Sequence, residues 1–292
     1  GLHQAINYAF VSPKDLERCQ VPTRAVPLEN PLSEERSVLR TSLLPGLLAN
    51  VSHAKRRQVP DVALFELGVV FAPSKDSVLA EESSRLTFVL AGRQRDWIGE
   101  GHTVDFYDGK GVAEMVIQPL AARVPDARLP GGDPPGYFHP RRVAELVLAD
   151  RPVGMLGELH PDVADAYDLD GRVVLGEIDV EALFGAIEQL GVPQAKALPQ
   201  FPASRRDMAM LVSDDHAAGT IMAALREHAS GLAESVDLFD LYRGEQIPSG
   251  MKSLAFRITY RDPEATLTDK RVDEIHAQVG KAVEGLFSAT LR

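Results

Sequence analysis

Along the chain, apolar positions pass from short crowded runs to a long regular alternation, and the change marks two differently built sections. In the first, β-branched, aromatic and aliphatic residues crowd Asp61–Phe71 and Arg85–Ala91, bounded by Pro60, Pro73 and Gly92, and predict two strands. Gln4–Phe10 reads as an earlier strand, and Ser12-Pro13 opens a short helix behind it, since proline suits a first helical turn. A helix is predicted between Asp105 and Ala122, strands over Arg142–Leu148 and Pro152–Leu159, and a further helix over Val180–Leu190. Pro130–Gly136 holds three prolines and three glycines, which leave neither ladder donors nor helical dihedrals, so it is a loop.

Gly191–Pro202 carries three prolines and no apolar period, and reads as an extended linker. Beyond it come a strand at Arg206–Val212, a helix at Ala217–Ala229, strands at Val236–Tyr242 and Met251–Tyr260, a helix at Asp269–Leu286 and a short last strand. The order β-α-β-β-α-β is the ferredoxin-like split motif. Its last helix has independent support, because Val272, Ile275, Val279, Val283 and Leu286 recur at three- or four-residue steps behind a Thr268 cap. The predicted class is α+β: an antiparallel-sheet domain over 1–190, a linker over 191–202, and a ferredoxin-like domain over 203–292.

Strand alternation assigns the two faces of the second sheet. Met208, Met210 and Val212, then Phe239 and Leu241, then Leu254, Phe256, Ile258 and Tyr260 share the parity expected to face the helices. The opposite parity exposes Ala209, Leu211, Asp240, Tyr242, Ser253, Ala255 and Arg257. Unpaired bases need an aromatic to stack on, small residues to let them approach, and fixed donors or acceptors for their edges. Tyr242 can supply the stack, Asp240 an acceptor for guanine protons, and Ser253 with the Ala209 backbone the remaining hydrogen bonds. Arg205, Arg206, Lys252 and Arg257 are candidate phosphate contacts with little sequence specificity, and Arg206 can equally pair with Asp207. The competing reading is a half-exposed sheet edge with no ligand.

Charge narrows where RNA could bind. The chain has 31 Lys and Arg against 42 Asp and Glu, a net charge of -11, which argues against indiscriminate binding to nucleic acid or anionic membrane. From Ala195 onward 12 basic residues face 14 acidic ones, against 19 and 28 before it, so the second section tolerates a phosphate backbone better. The single cysteine, Cys19, excludes a disulfide framework and a Cys-based zinc site within one chain, and fits a reducing, cytosolic compartment. The best apolar run, Val62–Ala72, is broken by Glu66 and Gly68 and is far shorter than the roughly 18 residues of a membrane span. With Gly1 first and no signal-like segment ahead of Gln4, the sequence is expected to be part of a longer polypeptide.

Motifs for independent chemistry are weak. Gly109-Lys110-Gly111 lacks the upstream glycine and following Ser or Thr of a phosphate loop, and reads as a helix-associated turn. The histidines show no zinc spacing, and His139 and His160 stand beside Pro140 and Pro161 in expected turns. Glu34-Glu35, Glu81-Glu82 and Asp214-Asp215 are better explained as solvated faces or helix starts than as acid-base pairs. Lys55-Arg56-Arg57 can meet RNA or simply complement a helix C-terminus.

The run Leu28–Leu48 packs an extended arm, a proline-fixed bend and a buried helix start into one segment. Together with Ile6–Pro13, Phe65–Phe71, His139–Arg142 and Leu156–Pro161, and with Phe201–Met210, Leu238–Gly244 and Lys252–Pro263, it resembles the C-terminal part of the bacterial phenylalanyl-tRNA synthetase beta subunit. That resemblance implies a class II synthetase-like but inactive domain followed by an anticodon-binding module. It implies an alpha-subunit partner that holds ATP and Mg2+, no cofactor bound by this chain, tRNA for phenylalanine, and an assembly of two alpha and two beta subunits. The family positions matching Ala209, Asp240, Tyr242 and Ser253 contact the anticodon. An active class II site needs a Gly-x-Gly-x-Gly-x-Glu-Arg-like run, which the sequence lacks, because fixed positive charge must meet the reacting phosphate. Asn30, Pro31, Arg40, Leu43, Leu44 and Leu47 are expected at the subunit interface, since five leucines between Leu39 and Leu48 exceed what one face of a short helix needs. Two other classes stay open: an independent ligase, and an assembly protein whose ferredoxin-like domain binds protein.

Overall fold

The computed structural model describes residues 1–94, 99–195, 197–244 and 246–292. Lys196, inside the predicted linker, lies outside the described residues. The chain divides into two compact units, Gly1–Gln194 and Ala195–Arg292.

The first unit begins with β1 (His3–Gln4), β2 (Phe10–Val11), α1 (Pro13–Arg18), β3 (Val38–Leu39), α2 (Leu44–Arg56), β4 (Val62–Ala72) and β5 (Glu81–Ala91). It continues with β6 (Arg93–Gln94), β7 (His102–Thr103), α3 (Phe106–Ala121), β8 (Asp126–Arg128), β9 (Phe138–Leu148) and β10 (Arg151–Leu159). It closes with α4 (Pro161–Ala166), β11 (Val173–Asp179) and α5 (Val180–Leu190). Seven strands form one sheet in the order β1-β4-β5-β11-β10-β9-β8, antiparallel except where β1 lies beside β4.

Helices cover both faces of this sheet, so β5 and β11 bury consecutive residues, 87–91 and 173–176, rather than alternate ones. Val89, Val173 and Leu175 join Leu16, Leu44, Leu47, Leu48 and Val163 from α1, α2 and α4. Their sequence neighbours Phe88, Leu90 and Val174 join Ala113, Ile117, Leu183 and Ala186 from α3 and α5. Local chemistry fixes the helix starts: the Asp105 carboxylate accepts from the Tyr107 N–H at 2.8 Å while Asp108 accepts from the Asp105 N–H at 2.8 Å, a reciprocal capping box. Strand β11 is absent from the predicted elements, because Gly176 and Glu177 interrupt its apolar run.

The opening segment departs from the single strand predicted over Gln4–Phe10. Asn7 leaves the ladder to bond Glu66, through its side-chain amide at 2.7 Å and its backbone N–H at 3.3 Å. Arg40 completes the cluster, donating to Glu66 at 2.7 Å, to the Val69 carbonyl at 2.9 Å and to the Asn7 carbonyl at 3.3 Å. Asn50 of α2 donates to the Asn7 side chain at 3.1 Å. Arg40 and Glu66 are 7% and 3% exposed, so the pair is held in the interior, and a side chain at Gly68 would collide with the guanidinium. Removing one member of a buried pair leaves an uncompensated charge. Glu66→Leu is therefore expected to lower the stability of the first unit by about 3 kcal/mol, and the Arg40→Met/Glu66→Leu double variant to recover at least half of that loss in urea unfolding.

The second unit runs β12 (Ser204–Ser213), α6 (Ala218–His228), β13 (Ala233–Tyr242), β14 (Met251–Tyr260), α7 (Asp269–Phe287) and β15 (Thr290–Leu291). Its antiparallel sheet has the order β13-β14-β12-β15, as the split βαβ motif requires. Both helices pack on one face, where Met208, Met210, Val212, Val236, Leu254, Phe256 and Ile258 meet Ile221, Leu225, Val272, Ile275, Val279 and Val283. Tyr260 is buried in the same core with its hydroxyl satisfied by His276 Nδ1 at 3.0 Å. Burial holds His276 below the ordinary histidine range of about 6.5, so the folded unit favours the neutral ring. The unfolded chain takes the proton first as pH falls, so this contribution is present above about pH 6.5 and lost below it. Unfolding free energies between pH 5 and 7 should decline toward acid in the parent and less steeply in His276→Gln.

Candidate nucleic-acid interface

With α6 and α7 on one side of the second sheet, the other side carries no helix of that unit among the described residues. Register places Ala209 opposite Ala255, Leu211 opposite Ser253, Asp240 opposite Ala255, and Tyr242 opposite Ser253, so these residues share the open face. Strict alternation does not produce this arrangement in β13. Leu238 pairs with Phe256 and Leu241 with Leu254, both partners on the helix face, although 238 and 241 have opposite parity. The register shift between Leu238 and Asp240 makes Phe239 the extra residue of a β-bulge, two residues opposing one.

The expectation that Phe239 faces the helices is therefore corrected. Its ring stands under the Arg257 guanidinium, 5.0 Å from Cζ to the ring centroid, and the residue is 52% exposed. The sequence did carry a signal, since apolar residues at 236, 238, 239 and 241 change parity between Leu238 and Phe239.

The polar groups of the open face fall into two sets. Asp207 and Arg257 are a two-pronged ion pair at 2.8 and 2.7 Å, and the guanidinium holds the Asp207 carboxyl below its usual range. Ser235 donates to Asp237 at 2.9 Å. By contrast, the Asp240 carboxylate and the Tyr242 and Ser253 hydroxyls have no hydrogen-bond or ionic partner among the described residues. One acceptor, one amphipathic ring and one hydroxyl thus face solvent around the small side chains of Ala209 and Ala255. The Ala209 carbonyl already accepts from the Arg292 N–H at 2.9 Å, so Ala209 contributes space on this face more than the backbone hydrogen bonds expected of it. Tyr242, 44% exposed, leans over Gly244, where an added Cβ would lie 2.6 Å from Tyr242 Cζ and closer still to the hydroxyl.

Three of the four candidate phosphate contacts are committed elsewhere. Arg206 is on the helix side, bonding Asp273 at 2.8 Å and Asp269 at 2.9 Å instead of Asp207. Lys252 is buried, donates to the Asp214 carbonyl at 2.9 Å, and is held below the usual lysine range by that burial. Arg257 is neutralised by Asp207. Arg205, exposed on the open-face parity, keeps its charge free of any partner among the described residues.

The expected subunit interface is likewise corrected. Leu43, Leu44 and Leu47 are at most 1% exposed, because α2 lays Leu44 and Leu47 into its own sheet and Leu43 lies beside Gly68 of β4, and Arg40 is sealed against Glu66. Asn30 and Pro31 stay exposed on the arm. Among the apolar side chains left open are Ile6, Tyr8 and Phe10 of the opening segment, which the sequence reading missed, with Arg36 4.2 Å over the Tyr8 ring. Gly109-Lys110-Gly111 lies inside α3, with Lys110 paired to Glu114, and not in a phosphate loop. His160 caps α4, its Nδ1 accepting from the Asp162 N–H at 3.2 Å, and Arg56 pairs with Asp168 at 2.6 Å. Among the described residues no group of three His, Cys, Asp or Glu side chains is placed to share a metal ion, and no helix is long and apolar enough to cross a membrane.

A bare antiparallel sheet with an aromatic ring and unpaired polar groups beside small residues carries the groups that a single-strand nucleic-acid-binding module requires, here alongside a larger α+β unit. Comparison with known proteins makes the class specific. Residues 1–180 match the phenylalanyl tRNA synthetase beta chain CLM domain and residues 199–292 the ferredoxin-fold anticodon binding domain, and the chain belongs to the phenylalanyl-tRNA synthetase beta chain family. It is 39% identical over 297 residues to the phenylalanine--tRNA ligase beta subunit of Geobacillus kaustophilus and 37% identical over 300 residues to that of Clostridium tetani. Each alignment covers 100% of this chain and 36% of the relative, so the chain spans about a third of their length. Pyrrolysyl-tRNA synthetase from Desulfitobacterium hafniense superposes with a TM-score of 0.47 at 14% identity, over 65% of this chain and 64% of that one.

Because Gly244 leaves room for the Tyr242 ring, Gly244→Ala is expected to shift the ring while the fold survives, since only the end of one exposed side chain must move. Affinity for an anticodon-loop RNA should fall severalfold with the melting temperature nearly unchanged; equal affinity would show that the observed ring position is not the binding one.

Proposed function

We propose that this chain is the C-terminal portion of a phenylalanine-tRNA ligase beta subunit, binding the tRNA anticodon through its second unit and supporting the alpha subunit through its first. The observation that carries this reading is the unpartnered trio Asp240, Tyr242 and Ser253 on the bare sheet of the unit that matches the anticodon-binding family. Tyr242 offers the stack, Asp240 accepts from the imino and amino protons of guanine, and Ser253 bonds a remaining base edge. Arg205 meets the backbone. In the working assembly, a cytosolic particle of two alpha and two beta subunits, ATP and Mg2+ act in the alpha subunit.

In the first unit, two guanidiniums are already taken up and unavailable to a triphosphate. Arg40 is spent on Glu66, and Arg85 bonds Asp179 at 2.8 Å, so both guanidiniums already have carboxylates where a phosphate would need unspent charge. The exposed Ile6, Tyr8 and Phe10 row, with the Asn30-Pro31 arm, is the surface offered to the alpha subunit.

Stacking is worth about 1 to 3 kcal/mol per base. In the reconstituted holoenzyme Tyr242→Ala is expected to raise KM for tRNA about tenfold or more with little change in phenylalanine-dependent ATP-pyrophosphate exchange. Unchanged tRNA kinetics would remove this residue from the interface, and loss of alpha-subunit binding on altering the second sheet would favour the protein-binding alternative.

A further inference from the structure

Phe239 has no role in the sheet's core, yet the bulge that ejects it also sets the register of everything beyond it. We propose that Phe239, presented by the β13 bulge and braced by Arg257, is a second base-stacking platform, so that the open face holds two unpaired nucleotides of the RNA, one on Tyr242 and one on Phe239. This deepens the anticodon-binding reading and rests on it. Asp207 fixes Arg257 through two hydrogen bonds, and Arg257 covers one side of the ring while the residue stays 52% exposed. A ring with a cation on one face and solvent at the other suits a base, which adds a second layer to the stack.

The spacing sets the room for two bases. Phe239 and Tyr242 are three residues apart, at most about 10 Å of strand at 3.3 Å per residue and less across the bulge. Adjacent stacked bases are about 3.4 Å apart. The span is therefore wide enough for each ring to carry a base of its own. Asp240, between the rings in sequence, is then placed to read an edge from either side.

The test uses the 292-residue chain and an RNA hairpin bearing the phenylalanine anticodon loop, with 2-aminopurine replacing one loop base at a time. Phe239→Leu should weaken binding about tenfold and abolish quenching at one loop position, Tyr242→Leu should abolish it at a different one, and Phe239→Tyr should restore the parent pattern. Restoration by tyrosine separates stacking from a bulge-shaping role, which leucine would serve as well. If Phe239→Leu binds and quenches like the parent while Tyr242→Leu does not, the second platform is overturned and the anticodon reading stands. If the parent chain itself fails to bind the hairpin, the anticodon reading falls, and this inference with it.

Discussion

One extra residue in β13 decides what the second unit can do. A strand of regular alternation that set Val236 and Leu238 opposite Ile258 and Phe256 would also turn Asp240 and Tyr242 to the helix side, away from Ala209 and Ser253. The bulge at Phe239 avoids this by spending a residue without advancing the partner strand. Beyond it Leu241 returns to the helix side opposite Leu254, while Asp240 and Tyr242 come to the open side opposite Ala255 and Ser253. Core packing and surface chemistry are thus reconciled by a single backbone irregularity at the edge of the sheet.

The two units put their charges to opposite uses. In the first, Arg40 and Glu66 are desolvated together and satisfied by Asn7 and the Val69 carbonyl, tying the opening segment and the arm to β4. Such a pair has no unspent charge to offer a ligand, and its contribution is to arrangement, since a buried pair is weak as a source of net stability. In the second unit, Asp207 and Arg257 neutralise each other in solvent, whereas Asp240 has no partner among the described residues. Against a chain carrying -11 overall, an unpaired carboxylate selects ligands that donate hydrogen bonds, as guanine does, over generic anions. The face offers edges and rings to a ligand; among the described residues Arg205 keeps a free guanidinium, whereas Arg206, Lys252 and Arg257 are engaged by other groups.

Much of the fold was legible in the residues themselves. The split βαβ order, the Thr268-capped helix with its apolar stripe and the division into two sections all follow from local periodicity, caps and prolines, which act over a few residues. So did the separation of Ala209 and Ser253 from the helix face, because strand parity holds without interruption along β12 and its partner β14. Tertiary structure alone decided the rest. Whether the leucines of α2 meet a partner or their own sheet depends on where β4 and β5 lie, and no spacing in Leu39–Leu48 encodes that. Arg206 and Lys252 look like free cations until α7 and the Asp214 turn come within reach. Phe239 lies between the two cases: its parity break is written in the chain, but only pairing with β14 turns that break into a bulge, because one strand cannot be out of register with itself.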